Sequence, residues 1–271
     1  MKLVIQDRPL FGTTFVEKLN RITSIGFDGL EIDGDVLLAR FKEIKMAMHS
    51  TGVPITSILG GYRGWIEDFD KENREMAIND LDEILKRTAE IGAIGVVAPA
   101  AFGIFSRNLP PFKSPKTSEE DKQVLLESLF KINSMADAAG TKFLLDPLNR
   151  YEGHMINNLD QAAELIHEGN FNSIKINADL FQMNLEEKNM AESIYNAKDL
   201  IWHVHLSDSN RLQSELRHTD FISAFRALRE IGYDESLAIK CPFIGDPFKV
   251  YTEYCDYLRD CLEKSQNTRQ F

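Results

Sequence analysis

The chain has 271 residues, 43% of them hydrophobic, and a formal net charge of −11. That length and apolar content suit one large domain with a sizeable core. The acidic balance argues against a phosphate-tracking nucleic-acid surface, which needs clustered Lys and Arg, and no apolar run approaches the ~18 residues of a membrane span.

The start, Met1-Lys2-Leu3-Val4-Ile5-Gln6-Asp7, turns polar too early for a secretory signal. Three cysteines, Cys241, Cys255 and Cys261, form no even disulfide framework. A reducing, cytoplasmic setting is expected.

In chain order, Leu3–Gln6 reads as a first strand. Six times thereafter a helical pattern stops at a glycine and a short apolar strand follows. Gly26 precedes Phe27–Ile32, Gly52 precedes Val53–Leu59, and Gly92 precedes Ile94–Ala98. Gly140 precedes Lys142–Leu145, Gly169 precedes Ser173–Asn177, and Gly232 precedes Leu237–Ile239. Glycine suits the residue after a helix because that position often needs a left-handed backbone. Ile201–Leu206 adds a further strand, making eight.

Strands alternating with helices imply parallel pairing and crossover connections. Eight such units in about 250 residues predict a single (β/α)8 TIM barrel over residues 1–271. A doubly wound open sheet is the alternative, but the chain has no GxGxxG or P-loop pattern.

Thr117-Ser118-Glu119-Glu120 predicts a capping box at a helix start. Val124, Leu125, Leu129, Ile132, Met135 and Ala136 should then face the barrel, as should the stripe Phe248, Tyr251, Cys255, Leu258 and Leu262 in the last helix. Gly60–Trp65 and Phe102–Lys116 read as long loops over the barrel mouth. Their aromatics Trp65 and Phe102 are candidates to stack on a ligand. Cys241 reads as an inert barrel thiol.

Active sites of such barrels lie where the strands' C-terminal ends converge. Asp146 ends the fifth strand, Asp179 follows the sixth, His205 is near the end of the seventh, and Lys240 ends the eighth. Four polar residues on consecutive strand ends should face one volume. His203 is read as pointing away from His205 and serving the structure, with His205 the ligand candidate.

The stretches Asn149-Arg150-Tyr151-Glu152, Asp179-Leu180-Phe181-Gln182-Met183-Asn184 and His203-Val204-His205 with Asp208-Ser209-Asn210-Arg211 carry a family likeness, completed by Ile231-Gly232-Tyr233-Asp234. The chain resembles the xylose-isomerase-like sugar isomerases and epimerases, including ketose 3-epimerases. The resemblance implies one divalent metal (Mn, Mg or Zn here) at the mouth, a small-molecule sugar or sugar phosphate as partner, and proton transfer next to a carbonyl. A homo-oligomer is left open; neither nucleic acid nor membrane is expected.

The family metal shell is Glu, Asp, His, Glu. Asp179 and His205 match it, Asp146 stands one methylene short of the first glutamate, and Lys240 replaces the second. Asp146, Asp179 and His205 are thus the metal candidates, and Asp146 and Lys240 the catalytic ones. Glu152, Gln182 and Arg211 are the substrate-binding candidates, Gln182 standing where many relatives carry histidine.

Lys240 acts as a base only if neutral, and acidic neighbours favour its protonated form. Three carboxylates with a divalent ion total −1, and so do two carboxylates with one ammonium. A divalent ion beside the ammonium would cost ~4 kcal/mol per like unit-charge pair at ~4 Å and an effective dielectric of ~20. The alternatives to a modified isomerase or epimerase are an inactive or metal-free polyol-binding barrel and a Lys240-dependent lyase using a Schiff base.

Overall fold

The computed structural model describes residues 1–103, 114–213 and 218–266. Eight parallel strands close into a barrel in sequence order: β1 (Lys2–Gln6), β2 (Gly29–Asp33), β3 (Ile55–Leu59), β4 (Val96–Ala98), β5 (Phe143–Leu145), β6 (Ile174–Asp179), β7 (Ile201–Leu206) and β8 (Ser236–Ile239). β1 pairs with β8, from Lys2 opposite Ser236 to Ile5 opposite Ile239, and this pairing leaves no free edge. The expected barrel is therefore the observed one.

The strands are apolar nearly throughout because barrel strands are covered on both faces. Outside them pack α1 (Phe15–Ile25), α2 (Gly34–Thr51), α3 (Lys71–Glu90), α4 (Ser118–Ala139) and α5 (Leu159–Glu168). α6 (Leu180–Glu186), α7 (Met190–Asn196), α8 (Phe221–Glu230) and α9 (Pro247–Lys264) complete the ring. No helix among the described residues is long and apolar enough to cross a membrane.

Local chemistry sets the helix ends. Thr117 and Glu120 form the expected capping box on α4, each satisfying the other's free amide. Leu125, Leu129, Ile132 and Ala136 are buried as expected, whereas Val124 and Met135 lie at the margin of that face. In α9 the stripe holds from Tyr251 onward. Phe248 departs from it: the ring is 40% exposed, with the Arg21 guanidinium 4.9 Å from its centroid. It sits in the first turn, before the helix has settled onto the barrel.

Gly169 also departs from expectation. It keeps a right-handed backbone at φ −77°, and Asn170 takes the left-handed turn at φ 50° instead. Asparagine is among the few residues that tolerate that conformation.

Two register shifts shape the interior. One falls between Leu30 and Glu31 where β2 meets β3, the other between Ile176 and Asn177 where β6 meets β7. Such irregularities re-aim side chains, and each here adjoins a fully buried polar residue, Glu31 or Asn177.

The loop after β3 meets the start of α2, which follows β2 directly. A Cβ on Gly61 (φ +79°) would lie 2.3 Å from the Gly34 nitrogen, so this approach requires glycine. The contact holds the Gly60–Trp65 loop against the start of α2.

Candidate active site

The mouth of the barrel contains a cavity of about 400 Å³, lined by Asp33, Tyr62, Trp65, Phe102, Asp146, Arg211 and Lys240 among others. The Trp65 ring lies 6.2 Å from each of the rings of Phe102 and Tyr62, forming one aromatic wall. Of the Phe102–Lys116 loop, residues 104–113, which include Pro110 and Pro111, lie outside the described residues.

Asp146, Asp179, His205 and Lys240 do converge. Asp146 directly follows β5, and Lys240 directly follows β8. Asp179 is the last residue of β6, and its Oδ1 accepts from the amides of Phe181 and Gln182 to cap α6. Lys240 Nζ donates to Asp146 Oδ2 at 3.1 Å and to Asp179 Oδ2 at 3.4 Å. Burial would lower the lysine's pKa, but the charges of Asp146 and Asp179 outweigh it and raise the value above the ordinary 10.5. Lys240 is therefore an ammonium at neutral pH.

Behind these groups lies a polar layer inside the barrel. Asn177 donates its amide to Asp146 Oδ1 at 2.7 Å, and the same nitrogen lies 3.0 Å from His205 Nδ1. His205 thus accepts at Nδ1 and carries its proton on Nε2, which points at Glu31, 3.1 Å away. Glu31 also receives His203 Nε2 at 3.0 Å, Ser57 Oγ at 2.7 Å and Gln6 Nε2 at 3.0 Å. Burial opposes ionisation of Glu31, yet His205 and His203 outweigh it, and its carboxyl is held well below the usual range. Burial lowers the His203 pKa despite Glu31 beside it.

His203 therefore does not point away from His205. Residues two apart on a strand share a face, and both imidazoles enter the barrel with centroids 5.0 Å apart. Glu31 and Asn177 were not among the candidate residues. Each interrupts an apolar strand with a single polar side chain, Leu30-Glu31-Ile32 and Ile176-Asn177-Ala178, and that interruption was the available signal.

Glu152, Gln182 and Arg211 also meet. Arg211 grips Glu152 through Nη1, and through Nη2 to Oε2 at 3.0 Å. Gln182 Nε2 donates to the same Oε2 at 2.9 Å. Asn149 then fixes Gln182, donating from its backbone and side chain to Oε1 at 2.8 and 2.5 Å. Arg211 has φ 61° and lies 4.6 Å from the Phe181 ring centroid, which directs it into the mouth. Cys241 is buried, and burial pushes its thiol up to about 12.

The ligand atoms of Asp146, Asp179 and His205 lie within 4.8 Å of one another and are of the types that hold a divalent ion. As arranged, each already has a partner from the chain: Asn177 at Asp146 Oδ1 and His205 Nδ1, and Lys240 at the facing oxygens of both aspartates. The trio does not fit a metal alongside protonated Lys240; coordination would require the lysine and the asparagine amide to give way.

The sequence pattern of the xylose isomerase-like TIM barrel matches residues 19–261. The chain is 37% identical over 262 residues to the 3-dehydro-D-guloside 4-epimerase of Escherichia coli K12, covering 96% of this chain and all of that enzyme. It is 25% identical over 233 residues to the D-psicose 3-epimerase of Ruminiclostridium cellulolyticum, covering 83% of this chain and 77% of that enzyme. Among solved structures, an apo 3-keto-D-glucoside 4-epimerase from E. coli superposes with a TM-score of 0.93 at 37% identity, over 96% of this chain and 100% of that one. A D-psicose 3-epimerase with D-tagatose from Clostridium cellulolyticum shares the fold, with a TM-score of 0.82 at 21% identity over 97% and 99% of the two chains. The barrel, the converging strand ends and these matches together show that the chain belongs to the xylose isomerase-like TIM-barrel family.

Proposed function

We propose that this protein is a sugar epimerase that moves a proton on the carbon next to a ketone, at the C-terminal mouth of its barrel. The observation that carries the reading is the adjacency of Asp146 and Lys240, 3.1 Å apart on one wall of the mouth cavity. The near-full-length likeness to a 3-dehydro-D-guloside 4-epimerase supports a keto-glycoside or ketose as the substrate class.

Lys240 donates a hydrogen bond to the substrate carbonyl oxygen, where negative charge develops. Asp146 takes the proton from the adjacent carbon. The C–H pair becomes the C=C bond of an enolate, and the carbonyl π pair moves to oxygen beside the ammonium. A proton returned to the opposite face inverts the carbon. Arg211, Glu152 and Gln182 hold the sugar hydroxyls. The Arg211 charge is already balanced by Glu152, which favours a neutral sugar over a sugar phosphate.

In this reading the ammonium supplies the positive charge that a divalent ion supplies elsewhere in the family, and no step passes through a metal. Asp146, Asp179 and His205 remain the residues that would hold one if Lys240 were replaced. A Schiff base at Lys240 is disfavoured because the two aspartates keep the amine protonated.

The test is proton NMR in D2O with methyl 3-dehydro-D-guloside and, separately, D-psicose. Wild type should exchange and invert the carbon beside the ketone in at least one of them, and Asp146→Asn should do neither. Saturable binding of both sugars by wild type without exchange would instead establish a polyol-binding barrel.

A further inference from the structure

Inversion needs a second proton carrier on the face opposite Asp146, and the proposed function leaves that carrier unnamed. We infer that Asp33, at the end of β2, is the acid that returns the proton. The assignment rests on the epimerase reading and goes beyond it.

The strand pattern aims Asp33. Glu31 enters the barrel to meet His203 and His205, and Asp33, two residues on, shares its face one layer higher. That layer is the mouth, where Asp33 and Asp146 line the same cavity. β2 and β5 are separated by β3 and β4 in the closed order, so the two carboxyls approach a sugar from different sides.

Two other acids near the mouth are committed. Asp179 caps α6 and binds Lys240, and Glu152 is held by Arg211 and Gln182. The Tyr62 hydroxyl is buried away from solvent, although its ring lines the cavity. Asp33 differs from them: it occupies the N-cap position of α2, yet its side chain makes no cap hydrogen bond, and Asp35 Oδ1 accepts the Val36 amide nearby. The close approach of Gly61 to Gly34 brings the aromatic wall beside this carboxyl. Asp33 is exposed at the end of β2; desolvation by the surrounding chain, followed by the charges of Asp35, Glu31 and Asp7 and against Arg8, still raises its pKa, which favours a proton donor.

The step balances. Asp146 holds the proton taken from carbon, and Asp33 O–H gives its own to the other face of the enolate carbon. Solvent then reprotonates Asp33 and receives the proton from Asp146.

The experiment compares wild type, Asp33→Asn and Asp33→Glu by proton NMR in D2O with methyl 3-dehydro-D-guloside, after thermal melting has shown each variant folded. Asp33→Asn should still exchange the starting epimer's proton for deuterium at about a tenth of the wild-type rate or better, while inversion falls about 100-fold or more. Asp33→Glu should recover part of the inversion. Inversion by Asp33→Asn within about threefold of wild type overturns the assignment, as does equal loss of exchange and inversion in a folded protein. A wild type that neither exchanges nor inverts this sugar but does so with D-psicose moves the same comparison to D-psicose, where the same results support or overturn the assignment. A wild type inactive on both overturns the epimerase reading and the role of Asp33 with it.

Discussion

Lys240 Nζ donates to Asp146 Oδ2 across 3.1 Å, tying the end of the last strand to the end of the fifth. Together with the bond to Asp179, this contact puts a fixed positive charge between two of the three side chains that could hold a divalent ion. Wild type purified without chelator should carry well under one equivalent of divalent metal, and EDTA should leave its turnover unchanged. Lys240→Glu should take up about one equivalent, measured by mass spectrometry of the metal content. Stoichiometric metal in wild type would remove the lysine from its assigned electrostatic role.

The same residue sets a pH expectation. Its folded pKa is raised above 10.5, so the ion pair's contribution is fully present below 10.5 and lost only as pH rises through the higher folded value. The pH profile of kcat should show no descending limb from this lysine between pH 7 and about 10. A falling limb there that disappears in Lys240→Arg would contradict the assignment.

Glu31 gathers His203, His205, Ser57 and Gln6 within the barrel. Glu31→Ala leaves these donors without their acceptor in a dry interior. It should cost about 3–5 kcal/mol in urea unfolding, because each buried donor left unsatisfied costs about 1–3 kcal/mol. A loss below about 1 kcal/mol would show that water or repacking replaces the carboxylate.

Arg211 reaches the mouth with its orientation fixed by Glu152 and Phe181. Arg211→Ala should lower kcat/KM by about 10- to 100-fold, mostly through KM, because a hydrogen bond to a charged group contributes about 1.5–3 kcal/mol. Steady-state kinetics on the sugar that wild type turns over is the check.

All three cysteines are buried, and burial pushes the Cys241 thiol up to about 12. The native protein should resist thiol reagents at pH 8, and the denatured protein should titrate three thiols. Rapid native labelling at Cys241 would show that the end of β8 opens.

Much of this was legible in the chain. Glycine-punctuated helices followed by short apolar strands specify the barrel because parallel strands must be covered on both sides. Asp146, Asp179, His205 and Lys240 could be found because strand ends converge at one mouth. Glu152, Gln182 and Arg211 were named through family likeness, and the structure brings them together. Glu31 and Asn177 were missed for a different reason. A polar residue inside an apolar strand gives no hint of its partner when that partner lies in sequence as far away as His203 does from Glu31. His203 departs from its expected orientation because strand side chains alternate, so residues two positions apart, as His203 and His205 are, face the same way.

The cation at the mouth is attached to the backbone through Lys240. An ion bound from solution can be withheld, stripped or exchanged for a wrong one, so a metal centre varies with supply. A lysine is present in every copy from the moment of translation, and in this chain the charge at the centre of the site is inherited with the polypeptide.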